Sequence, residues 1–122
     1  MKVLLVEDEI ERREWFRQKC LDIDMTDSVD EAIRWLGENE YDILFLDHDL
    51  RDNDRPGWLV AKHLIANPTL QPKMKTIVHS MNSVSAKKIY ERLLEAGREV
   101  WQIPYSVLYR LGLPTFVERK VM

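Results

Sequence analysis

Residues 41–50 read Tyr-Asp-Ile-Leu-Phe-Leu-Asp-His-Asp-Leu, and the fold follows from them. Ile43, Leu44, Phe45 and Leu46 form an unbroken apolar run, too short for a helix and without the polar alternation of a half-exposed strand. Such a run suits a central strand of a parallel sheet covered on both faces. Asp47, His48 and Asp49 arrive together at its C-terminal end, where three ionisable groups are costly to place unless they face a cleft. In open α/β sheets the cleft lies outside the carboxyl ends of the strands, so this triplet is expected to floor an active or binding site.

Upstream the pattern repeats: Lys2 to Val6 is a short apolar run that ends in Glu7-Asp8-Glu9. From Glu9 to Cys20 the composition is helical, with Ile10, Trp15, Phe16 and Cys20 as the expected inward side. Leu21 to Met25 reads as a short edge strand, where Asp22 and Asp24 are tolerated. Ser28 with Glu31 makes a capping box, and Val29, Ala32, Ile33 and Leu36 keep i, i+3, i+4, i+7 spacing, so a helix is expected to about Gly37. Downstream, Arg51 to Gly57 is a polar loop at the rim of the site, and Trp58 to Ala66 a helix stopped by Asn67-Pro68. Lys75 to Val78 is a strand ending in His79-Ser80, and Asn82 or Ser83 caps a helix reaching Ala96, closed by Gly97. Glu99 to Ile103 is the last strand and Pro104 to Gly112 a short final helix, while Leu113 to Met122 carries no clear pattern. Five alternations of strand and helix predict a doubly wound parallel α/β sheet. Right-handed crossovers bring Glu7, Asp8, Asp47, His48, Asp49, His79, Ser80 and Tyr105 to one edge of it.

A chain of 122 residues suits one domain, residues 1–122, with a single core. No apolar run approaches the roughly 20 residues of a membrane span and the N-terminus has no secretory pattern, so no membrane and a cytoplasmic location are expected. Cys20 is the only cysteine, which excludes an internal disulfide and a thiolate cluster. A net charge of −3 argues against duplex DNA, which is bound by phosphate neutralisation. A small phosphate ester or an RNA end in one local pocket remains open.

Val3-Leu4-Leu5-Val6-Glu7-Asp8-Glu9 and Asp42-Ile43-Leu44-Phe45-Leu46-Asp47 resemble the receiver domains of two-component response regulators, over nearly the whole chain. That resemblance implies a flavodoxin-like, five-stranded sheet of order 2-1-3-4-5. It also implies that Glu7 and Asp8 are the acidic pair that holds Mg²⁺ and Asp47 the phospho-accepting aspartate. Ser80, Gly57 and Pro104 fall on further positions of the receiver pattern. Two departures stand out: Ile103 occupies the place of the lysine that contacts the acyl phosphate, and His48-Asp49 follows Asp47 where an apolar residue is usual. Leu46-Asp47-His48-Asp49-Leu50 together with His79-Ser80-Met81-Asn82 resembles the cyclic-phosphate-processing receiver domains, whose two histidines are thought to act on cyclic phosphates.

The expectation that follows is a phosphoesterase opening a cyclic phosphate, such as a 2′,3′-cyclic RNA end. His48 and His79 would share acid and base duty from adjacent strands about 4.8 Å apart, with Asp47 as the third catalytic group. Ser80, Asn82 and the N–H groups of the following helix would cradle the anion, and Tyr105 could stack on a base. Glu7, Asp8, Asp47 and Asp49 would hold Mg²⁺ or Mn²⁺, which offsets their repulsion of a phosphate. The alternatives are an atypical receiver phosphorylated on Asp47 and an inactive module that keeps the receiver shape for interaction. Plainer readings exist beside these: Glu7-Asp8 as a helix N-terminal cluster favoured by the macrodipole, the triplet as a solvated turn, His79 as a satisfied core histidine, and Trp15, Trp35 and Trp58 as core or near-core aromatics.

Overall fold

The structure, a computed structural model, describes residues 1–52 and 55–118. Asn53 and Asp54 of the rim loop and residues 119–122 of the unassigned C-terminal stretch lie outside the described residues. In chain order the elements are Lys2–Val6 (β1), Ile10–Lys19 (α1), Asp22–Thr26 (β2), Val29–Glu38 (α2), Ile43–Leu46 (β3), Trp58–Ala66 (α3), Lys75–Val78 (β4), Ser83–Glu95 (α4), Glu99–Gln102 (β5) and Tyr105–Leu111 (α5). All strand pairs are parallel and the sheet order is β2-β1-β3-β4-β5, the flavodoxin-like doubly wound arrangement.

Alternation along each strand builds a core layer on each face. Leu4, Val6, Leu44, Leu46 and Val78 meet Val29, Leu36, Val60, Leu64, Ile89 and Leu93 of α2, α3 and α4. Val3, Leu5, Ile43, Phe45 and Ile77 meet Phe16 of α1, Cys20 and Leu108 of α5. Both layers are closed to solvent, so the sheet is buried on two faces, as the unbroken apolar run of β3 requires.

Two local expectations change. Ile10 is 79% exposed rather than inward. It lies six residues from Phe16, about 120° round the helix, whereas Cys20 is four residues on and shares the Phe16 face. Of the capping box only half forms: the Glu31 N–H donates to Ser28 Oγ at 3.2 Å, but the Ser28 N–H donates to Thr26 Oγ1 at 3.0 Å and the Glu31 side chain pairs with Arg34. The edge strand β2 tolerates its aspartates because Asp24 Oδ2 accepts the Tyr41 hydroxyl at 2.7 Å and faces Lys2 Nζ at 3.7 Å.

Candidate functional site

Glu7, Asp47 and His79 are the residues immediately after β1, β3 and β4. Their N–H groups extend the ladder one step, to the carbonyls of Thr26, Val6 and Leu46 at 2.9, 3.0 and 3.1 Å. Being level, they share a face of the sheet, the one that carries Phe45 and Ile77 against α1 and α5. His79 Nε2 sits 2.9 Å from Glu7 Oε1, and Glu7 Oε2 accepts the N–H groups of Asp8 and Glu9 at 3.0 and 3.1 Å. Glu7, Asp47 and His79 are all buried. The His79 ring lies against Phe16 and Phe45, with centroids 5.3 and 6.2 Å away, and its Nδ1 has no hydrogen-bond partner among the described residues.

Burial pushes the Glu7 carboxyl up, but the hydrogen bond and charge of His79, the Glu9 N–H and the nearby Arg12 outweigh it and hold the group well below the usual carboxylate range. Asp47 goes the other way. Burial raises it to about 6, with Glu7 adding to the rise, while the charge of His79 and the Ser80 hydroxyl pull against it. Asp8 is raised by burial and by Glu7. Asp47 is therefore a buried carboxylate short of positive charge.

Asp47 opens into a small pocket of about 160 Å³ that it lines with Asp8, Glu9, Arg12, Asp49 and Met81. Arg51 bridges the rim, with Nε 3.6 Å from Asp8 Oδ2 and a terminal nitrogen 3.6 Å from Glu9 Oε1. Gly57 presses on the floor from behind. Its N–H donates to the His48 carbonyl at 2.7 Å, and a Cβ there would overlap the Asp47 carbonyl oxygen. The loop between β3 and α3 is pinned to α2, since Asp52 Oδ2 accepts the Val29 N–H at 2.8 Å and Arg55 pairs with Asp30 at 2.8 Å.

The two histidines do not converge. His48, one step beyond Asp47, turns away from the His79 face. Its Nδ1 lies 3.0 Å from Asp49 Oδ1, and it lines a separate groove of about 550 Å³ with Pro56, Trp58, Lys88, Ile89 and Arg92, beside α3 and α4. His79 is sealed on the opposite face. A general acid and a general base must flank one phosphorus, so the expected two-histidine cyclic-phosphate hydrolase is overturned. His79 belongs instead with the carboxylates: Glu7, Asp47 and His79 each offer a ligand atom within 4.8 Å of the others, a spacing that one divalent cation can bridge.

The remaining expected residues divide. Ser80 is buried beside Asp47, its Oγ accepting the Asn82 N–H at 3.2 Å. Asn82 is committed to capping α4, with Oδ1 accepting the Ser85 N–H at 3.2 Å. Tyr105 donates its N–H to the His79 carbonyl at 2.9 Å, and its ring is packed between the Arg12 guanidinium, 5.0 Å from the centroid, and Trp15 at 5.6 Å. Asp8 and Asp49 line the pocket with Asp47. Arg12 was not anticipated, although it lies five residues after Glu7, in the first turn of the helix that follows the acidic pair.

Residues 2–95 match the family described as "Cyclic-phosphate processing Receiver domain". No curated protein matches the chain. Among solved structures, the N-terminal domain of an uncharacterized protein from Wolinella succinogenes is similar at 21% identity and a TM-score of 0.64, over 88% of this chain and 82% of that one. A response regulator from Thermotoga maritima in complex with Mg²⁺ and BeF is similar at 20% identity and 0.61, over 85% and 86%. The receiver domain of a sensor histidine kinase from Pseudomonas aeruginosa, with a magnesium ion coordinated in its active-site cleft, is similar at 18% identity and 0.65, over 90% and 92%. At these identities the likeness is one of fold. No helix among the described residues is long and apolar enough to cross a membrane.

Proposed function

The chain belongs to the cyclic-phosphate processing receiver domain family, and on that basis we propose that it works as a receiver, taking a phosphoryl group on Asp47 beside a divalent cation. The observation that carries this reading is Asp47 itself, a buried carboxylate raised to about 6 that opens into a pocket shared with Asp8 and Asp49. Mg²⁺ or Mn²⁺ suits a donor set this rich in carboxylate oxygen, and two receivers of the same fold carry Mg²⁺. Glu7, Asp8 and Asp47 are the residues that would hold it, with the His79 ring nitrogen within reach of Glu7 and Asp47 and with Asp49 at the mouth. When bound, the cation offsets the repulsion between the carboxylates and draws charge from the phosphoryl oxygens.

The chain's own groups do the rest. An Asp47 oxygen attacks the phosphorus of the donor, forming an acyl P–O bond as the donor's bond to phosphorus breaks and the leaving group departs with that electron pair. Glu7, tied to His79 and two backbone N–H groups, keeps its charge and its position. The Ser80 hydroxyl, resting on Asp47, turns to a phosphoryl oxygen. The partner is a phosphodonor, either a small acyl phosphate or a kinase phosphohistidine, met in the cytoplasm. Intact mass after treatment with acetyl phosphate and Mg²⁺ tests this. Wild type is expected to gain one phosphoryl group, and Asp47→Asn and chelated wild type none; a wild type that gains nothing sinks the reading.

A further inference from the structure

We propose that Arg12 is the side chain that receives the phosphoryl oxygens at Asp47, because its guanidinium is the only cation among the described residues lining the Asp47 pocket. The inference rests on the receiver reading and adds a residue to it. A phosphoryl group is dianionic, and here it would enter among Asp8, Glu9, Asp49 and the buried Glu7. One divalent cation does not balance that much negative charge. Ile103, partly buried in the apolar layer against α1 and α5, supplies none.

Arg12 is placed to do so. It stands in the first turn of α1, where a cation is disfavoured by the helix macrodipole, so its position needs a compensating partner. The Tyr105 ring supports the guanidinium at 5.0 Å, and one terminal nitrogen lies 3.7 Å from Glu7 Oε1. That separation exceeds a hydrogen bond, so the donors of the planar fork are not committed to Glu7 and can pair with two phosphoryl oxygens. The other candidate cations are worse placed: His79 is sealed against Phe16 and Phe45, and Arg51 is 78% exposed on the rim.

Beryllofluoride, a phosphoryl mimic that assembles on an aspartate, separates anion binding from metal binding. Its affinity is measured at saturating Mg²⁺, beside the affinity for Mg²⁺ alone, in wild type, Arg12→Gln, Arg12→Met and Arg12→Lys. Met keeps an apolar stem over Tyr105, which guards against a folding artefact, and circular dichroism confirms the fold of each variant. Gln and Met are expected to weaken beryllofluoride by about tenfold or more while Mg²⁺ binds as well or better, and Lys is expected to restore part of the loss. Unchanged beryllofluoride affinity in Gln and Met, or equal losses for Mg²⁺ and beryllofluoride, would overturn the assignment. Wild type that binds Mg²⁺ but neither beryllofluoride nor a phosphoryl group overturns the receiver reading as well, a pattern distinct from failure of Arg12 alone.

Discussion

Asp47 carries its proton up to about pH 6 in the folded protein, against an ordinary value of 3.8, because burial disfavours its charge. The unfolded chain ionises the group near pH 4. Between those values the folded state binds the extra proton, so this residue makes stability fall as pH rises from about 4 to about 6, after which its effect is constant. Glu7 acts in the opposite sense: its depressed carboxyl adds stability above 4.5 that is lost as pH falls toward its folded value. Asp47→Asn removes the first effect. In a chelator it is expected to stabilise the protein at pH 7.5 by an amount on the order of 2 kcal/mol, and the gain is expected to vanish near pH 4. Urea denaturation at the two pH values checks this, and an equal gain at both would mean that something other than the charge is responsible. At this scale the acids were legible, because carboxylates directly after a buried strand are conspicuous. The fate of the histidines needed one further step. Leu46 pairs with Val78, so Asp47 is level with His79, and His48 is one residue out of phase with both. A one-residue step reverses the face, and adjacency of strands alone does not reveal it. Arg12 carries no such signal in the sequence, because a cation on the polar side of an amphipathic helix looks the same whether it faces solvent or a pocket.

Among the elements, the loop between β3 and α3 sets where Asp47 points. Gly57 is required there by close approach rather than by an unusual backbone angle: a Cβ has no room against the Asp47 carbonyl oxygen. Gly57→Ala is expected to push the loop off the end of β3 and break the Gly57 to His48 hydrogen bond. The cost should be about 1–3 kcal/mol in stability, with weaker Mg²⁺ binding because the Asp47 carboxylate is displaced. Equilibrium denaturation and a Mg²⁺ titration measure the two effects, and unchanged Mg²⁺ affinity would show that Asp47 is positioned by β3 alone. The glycine was visible in the sequence as a receiver-like position, but its reason was not, since contacts between a loop and the strand end behind it leave no periodicity. The same holds for Asp52 on the Val29 N–H and for Arg55 on Asp30, both of which join the rim loop to α2. Runs of apolar residues announce β1 and β3, whereas β2 depends on partners supplied from elsewhere, Tyr41 and Lys2 on Asp24.

Across the whole molecule, β1, β3 and β4 contribute residues to both core layers, so opening either layer uncovers an apolar face of the same three strands. The doubly wound class could be derived from the alternation of patterns, but the strand order came from the resemblance to receivers, because five short parallel strands do not by themselves say which of them are neighbours. The order matters to stability as well as to the site. It puts β1, β3 and β4, the strands that feed both core layers, in the middle, where each is covered twice, and leaves β2 and β5 as edges. Residues 1–122 are therefore expected to unfold as one cooperative unit. The tryptophans provide a direct check, since Trp35 and Trp58 pack on the layer against α2, α3 and α4, and Trp15 and Trp101 on the layer against α1 and α5. Two variants, one keeping only Trp58 and one keeping only Trp15, with the other tryptophans changed to phenylalanine, report the two layers separately. Within each variant the fluorescence midpoint in urea should coincide with the midpoint from far-ultraviolet circular dichroism. A Trp15 signal lost well before the circular dichroism would mean that the α1 and α5 layer peels from the sheet on its own, exposing His79 and detaching Arg12 from the Asp47 pocket.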